Sequence, residues 1–195
     1  MAETKTANEA TDAATEAKTE EKPQRKRMTR RKAVEQRARS YFEAMDRRDA
    51  EGMLEHWSDE GVEDVIPVGV MRGREELRSF FNSLFGAMPD ARTTVTRIVA
   101  GEQSCAVEWR MEGTFSGEPY MGIDANGKHV EIRGCDLLEF EDGQITSLTA
   151  YSDGAGFARQ IGLLPPDGSG ADRAMKSAFN AATKVRRALA ERRSG

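Results

Sequence analysis

The most regular pattern along the chain is the alternation in Val130 to Ile145. Val130, Ile132, Gly134, Asp136, Leu138 and Phe140 share one face, and Glu131, Arg133, Cys135, Leu137 and Glu139 the other. That is the period of a β-strand. The same period predicts strands over Thr93 to Val99, Ser104 to Phe115 and Gln144 to Ser152, with Asn126-Gly127 and Asp142-Gly143 as turns. Upstream the spacing is helical. Val34, Ala38, Tyr41, Phe42 and Met45 predict a first helix from about Arg30 to Arg48. Asp49 caps a short second helix holding Met53, Leu54 and Trp57. A short strand over Gly61 to Val68 follows, and Arg72-Gly73 opens a third helix with Leu77, Phe80, Phe81, Leu84, Phe85 and Met88 on its stripe. Phe157, Ile161 and Leu163 mark a final helical turn before Pro165-Pro166. Helices followed by long antiparallel strands predict an α+β domain over residues 30–165.

Two tails flank it. Residues 1–29 carry no aromatic and no large aliphatic side chain between Met1 and Met28, so they are expected to be disordered. Residues 166–195 read as a hinge, Asp167-Gly168-Ser169-Gly170, and a basic amphipathic helix from about Ala171 to Arg192. Its stripe is Met175, Ala178, Phe179, Ala182, Val185 and Leu189. That stripe suits packing on the domain or on a partner helix, with a membrane surface as the alternative.

The formal net charge of −4 hides an asymmetry. Residues 1–32 hold nine Lys/Arg against six Asp/Glu, residues 166–195 seven against three, and the middle thirteen against twenty-four. An acidic body argues against nucleic acid, whereas basic ends could touch a protein partner or an anionic surface. The two cysteines, Cys105 and Cys135, fall on opposite faces and are expected as free thiols in a reducing cytoplasm. No apolar run reaches the roughly 18 residues of a membrane span, and the N-terminus has no signal-peptide core.

Asp136 is the odd residue on its apolar face. A buried carboxylate without a partner is costly enough that the group keeps its proton unless something satisfies it. Ile132, Leu138 and Phe140 around it should raise its pKa, which suits a proton donor or shuttle near neutrality. A carboxyl satisfied by a nearby hydroxyl or backbone group is the structural alternative. His56 and His129 have no neighbouring Cys, His or carboxylate at ligand spacing, so neither a metal nor a cofactor is expected.

The order of several pieces resembles the nuclear transport factor 2-like superfamily, and within it the SnoaL-like polyketide cyclases. The pieces are Tyr41-Phe42, Arg48-Asp49, Arg72-Gly73, Pro89-Asp90, Val107 with Trp109, Gly113-Thr114, Gly122 through Gly127, Arg133-Gly134-Cys135-Asp136, Asp142-Gly143-Gln144-Ile145 and Arg159 through Pro165. The resemblance covers about residues 34–165. It implies a cone-shaped α+β barrel: a strongly bent sheet wrapped on about three helices around a cavity, often paired through the sheet as a homodimer. It makes Asp136 the match for the cyclases' general acid/base and Tyr41 the match for the ketosteroid isomerases' phenolic donor. Tyr41 also reads simply as a core residue.

Departures narrow the implied chemistry. Ile66 stands before Pro67 where the isomerases carry a base, with Asp64 displaced by two. Phe115 stands where cyclase-like members often carry His. Arg110 and Glu112 alternate outward, as a surface pair rather than an epoxide hydrolase triad. The expected pocket is walled by Trp109, Met111, Phe115, Ile132, Leu138, Phe140, Phe85 and Ile66 and takes a small apolar carbonyl compound. The competing expectation is a non-catalytic dimer whose basic tails dock a partner.

Overall fold

The computed structural model describes residues 27–193. The tail expected over residues 1–26 lies outside them, and residues 27–29, also expected in that tail, are already helical. Helix α1 occupies residues 27–46 and buries Val34, Ala38, Tyr41, Phe42 and Met45. It stops two residues earlier than its spacing suggests, because Arg48 takes a positive φ of 57°. Asp49 then caps α2 (Ala50–Leu54), accepting from the Gly52 amide at 2.9 Å.

Trp57 is not helical. It is the first residue of β1 (Trp57–Ile66), where it pairs with Ile145, and the Ile145 amide donates to the His56 carbonyl at 2.7 Å. A five-residue helix has little of its own to set against a sheet ladder. The expected strand over Gly61 to Val68 is thus moved upstream, and an unforeseen β2 (Gly69–Arg72) folds back on it antiparallel. Next comes α3 (Gly73–Ala87), burying Leu77, Phe81 and Phe85.

The remaining strands are β3 (Arg92–Ala100), β4 (Ser104–Phe115), β5 (Lys128–Glu141) and β6 (Gln144–Ser152). They form an antiparallel meander closed by a parallel β1–β6 seam, in the order β2-β1-β6-β5-β4-β3. Register shifts in β1, β3 and β5 accommodate the bend. The fold is the expected bent mixed sheet over helices.

Helix α4 (Gly154–Gln160) sets Phe157 edge-on to Phe115 at 5.8 Å. Ile161 after it is buried, whereas Leu163, expected on the same apolar side, is exposed. Helix α5 (Gly170–Arg193) departs from the expectation of packing on the domain. Met175, Phe179, Val185 and Leu189 are all exposed, Phe179 at 68%, and Asp172 is its one buried residue. No helix among the described residues is long and apolar enough to cross a membrane.

Candidate functional site

Register places Asp136 in a row across four strands: Val107 on β4, Asp136 on β5, Ala150 on β6 and Val65 on β1. Even-numbered residues of β5 point into the concave face, as the alternation predicted, and Asp136 is only 3% exposed. Its Oδ1 accepts from the indole Nε1 of Trp109 at 2.7 Å. That bond depends on Gly134, which pairs with Trp109. A Cβ there would lie 2.2 Å from the Trp109 ring, so only glycine lets the indole cross the strand towards Asp136. Burial pushes the Asp136 carboxyl up to about 7, and the Trp109 bond opposes the rise.

Asp136 is not alone. Glu63 on β1 is also 3% exposed, and its Oε2 has no hydrogen-bond partner. Burial first, then the nearby Asp136 charge, holds its carboxyl well above the usual carboxylate range. Both carboxyls line one cavity of about 80 Å³. Trp109, Met111 and Ile132 line it as the sequence suggested. Phe80 and Leu84 of α3, Met45 of α1, Tyr120 of the β4–β5 loop and Val65, Ala150 and Ser152 complete the wall.

Five expected wall residues lie elsewhere. Phe115 is fully buried against Phe157, Leu138 is fully buried in the core, and Phe85 is packed on the core side of α3. Phe140 borders a separate groove beside Val34 and Arg37. Ile66 points away from the concave face and is 41% exposed. Tyr41 is fully buried behind the wall, edge-on to Phe42, His56 and Trp57, and its hydroxyl has no partner. Burial, then the charges of Glu63 and Asp136, raise its pKa well above the ordinary value.

Glu63 is not among the expected site residues, which on this strand are confined to Ile66 before Pro67 and the displaced Asp64. The signal was present: Gly61, Glu63 and Val65 alternate inward, and the residue between the two apolar-face positions is acidic. Arg110 and Glu112 form the outward pair, 3.0 Å apart, with Glu131 at 3.1 Å from Arg110. His56 sits in the turn after α2, not on the helix, with Nε2 3.3 Å from Ser40 Oγ. Cys105 is buried, Cys135 is half-buried and both thiols are free.

Chemically, the cavity holds two carboxyls that keep protons at higher pH than usual, one oriented by an indole and one with a free oxygen. Asp136, raised to about 7, can give and take a proton near neutrality.

A family model described as SnoaL-like domain matches residues 38–148, more than half of the chain. No curated protein matches. Among solved structures, AclR of Streptomyces galilaeus, assigned as a hydroxylase, is 20% identical with a TM-score of 0.63, covering 85% of this chain and 99% of its own. A protein from Jannaschia sp. CCS1 assigned as a SnoaL-like polyketide cyclase is 17% identical with a TM-score of 0.64, covering 69% and 95%. A protein with a ketosteroid isomerase-like fold from Catenulispora acidiphila, in complex with trimethylamine, is 18% identical with a TM-score of 0.56, covering 68% and 96%. At these identities the likenesses speak for the fold, and with the family match they make the chain a member of the SnoaL-like domain family within the nuclear transport factor 2-like fold.

Proposed function

We propose that the protein is a small-molecule pocket protein in which Asp136 is a general acid/base acting on a small carbonyl compound, without a cofactor. The observation that carries this reading is a buried carboxyl, raised to about 7, facing a cavity and held by Trp109. In its ionised form Asp136 takes a proton from the carbon next to the carbonyl. The Asp136 carboxyl so formed exchanges its proton with solvent and then reprotonates the enolate at carbon. The cavity limits the substrate. At about 80 Å³ it is about half the roughly 150 Å³ of an engineered cavity that binds benzene. It therefore admits a few non-hydrogen atoms and is too small as it stands for a fused polyketide ring system.

Proton exchange tests this without knowledge of the substrate. Deuterium uptake at the α-carbon of cyclopentanone or acetone, followed by NMR, should be accelerated by the protein. Asp136→Asn should slow it by about 10²–10⁴. An Asn variant that exchanges as fast as the parent sinks the mechanism.

A second reading has one observation in its favour, the exposed basic and apolar surface of α5. On it, the protein is a homodimer paired through the sheet whose tails dock a partner or an anionic surface. Removing residues 170–195 would then abolish partner capture and leave pocket binding intact. Two free thiols favour a cytoplasmic location in either reading.

A further inference from the structure

Glu63 poses a problem that the acid/base role of Asp136 does not solve. The fold desolvates two carboxyls in one small space and supplies no counter-charge. No Lys, Arg or His is among the described residues that line the cavity. Glu63 has an oxygen with no partner although it is 97% removed from solvent. An unpartnered buried acceptor is expensive, and an ionised one far more so. The same cavity is walled by three aromatic side chains, Phe80, Trp109 and Tyr120. Carboxyl oxygen together with aromatic surface is the chemistry that receives an alkylated ammonium: charge on the carboxylate, methyl groups on the rings.

From this geometry we propose that the cavity binds the small alkylammonium head of its ligand, with Glu63 as the paired carboxylate. This rests on the reading of Asp136 as the acid/base group and names its substrate class, a small amine-bearing carbonyl compound. Glu63 holds the nitrogen and Asp136 works on the neighbouring carbon. The proton balance is fixed. A neutral amine takes the proton of Glu63 and becomes the paired cation, whereas an ammonium ion displaces that proton to solvent.

The groups that face the pair do not titrate near neutrality. Burial, then the charge of Glu63, pushes the Tyr120 phenol up to about 12. Burial, then Asp136, pushes the Cys105 thiol up to about 12. Tyr41 lies well above its ordinary value, Trp109 contributes only an N–H, and α1 and α3 present Met45, Phe80 and Leu84. Proton release on cation binding therefore belongs to Glu63 and Asp136.

The test is calorimetry of the full chain with trimethylammonium chloride, and with tert-butanol as a neutral probe of nearly the same size. Trimethylammonium should bind at least tenfold more tightly than tert-butanol, a difference of about 1.4 kcal/mol. Buffers of different ionisation enthalpy should show net proton release on cation binding at neutral pH, and affinity should weaken as pH falls. Glu63→Gln should erase the tenfold preference, while its melting temperature shows that it folds. Equal binding of the two probes, no trimethylammonium binding at tens of millimolar, or a preference that survives Glu63→Gln overturns the proposal. These outcomes are independent of the proton-exchange assay. Loss of exchange in Asp136→Asn with no cation preference would leave the acid/base reading standing and remove this one.

Discussion

Replacing Asp136 by Asn removes a group that the fold forces to keep its proton. The carboxyl has an ordinary pKa of 3.8 and is raised to about 7 in the folded protein. Between these values the folded state binds more protons than the unfolded chain, so stability falls as pH rises and levels off above the folded pKa. At about 1.4 kcal/mol per unit, the whole shift is worth on the order of 4 kcal/mol. Roughly 3 kcal/mol of it lies between about pH 5 and pH 8. For a domain of this size that is roughly 6–12 °C in Tm. Asn keeps an oxygen for the Trp109 indole and carries no proton to lose. Urea unfolding across that range should therefore show a descending curve for the parent and a shallower one for Asp136→Asn. A residual slope belongs to Glu63, whose carboxyl is raised in the same direction. Glu63→Gln with Asp136→Asn together should flatten the curve further. Parallel curves for the parent and Asp136→Asn would refute the account, because they would mean that Asp136 is ionised and satisfied in the folded state.

Trp109→Phe removes the hydrogen bond to Asp136 Oδ1 and should cost about 1–3 kcal/mol. That bond opposes the rise, so the Asp136 pKa should climb further, as read from a carbon-13 NMR titration. Gly134→Ala drives a Cβ into the Trp109 ring, with an expected loss of about 1–3 kcal/mol and an altered near-ultraviolet dichroism spectrum. Deleting residues 170–195 should change the domain's unfolding free energy by no more than about 0.5 kcal/mol, because the stripe of α5 is exposed. Iodoacetamide should label half-buried Cys135 in the native protein and buried Cys105 only after unfolding, as mass spectrometry would show.

The alternation in β5 was enough to point Asp136 inward, because side chains on a strand have only two directions. It could not say how far along that inward face the cavity lies. Ile132, Asp136, Leu138 and Phe140 share a face, yet the first two border the cavity while Leu138 and Phe140 are packed beyond it. That division is set by where α3 and the β4–β5 loop meet the sheet, which is a long-range matter. Trp57 shows the same limit at an element's end, where its pairing with Ile145 overrode a helical reading. Glu63 is legible by the rule that points Asp136 inward, because Gly61, Glu63 and Val65 alternate onto the buried face of β1. The stripe of α5 is legible as an apolar face, and of the surfaces expected to cover it the structure removes only the domain itself. Amphipathicity says that a surface is apolar, not what lies against it.

The parallel β1–β6 seam also governs the order in which the molecule comes together. Strands β3 to β6 are joined in sequence and can zip as neighbours. Glu63 meets its partner Leu148 only by closing a stretch of 85 residues. By loop-closure entropy that costs roughly 2–3 kcal/mol more than a hairpin turn. That cost predicts that the two carboxyls approach each other after the meander is in place, so that their mutual desolvation falls late in folding. Relieving it with Glu63→Gln should appear mainly as slower unfolding, with the folding limb of the chevron little changed.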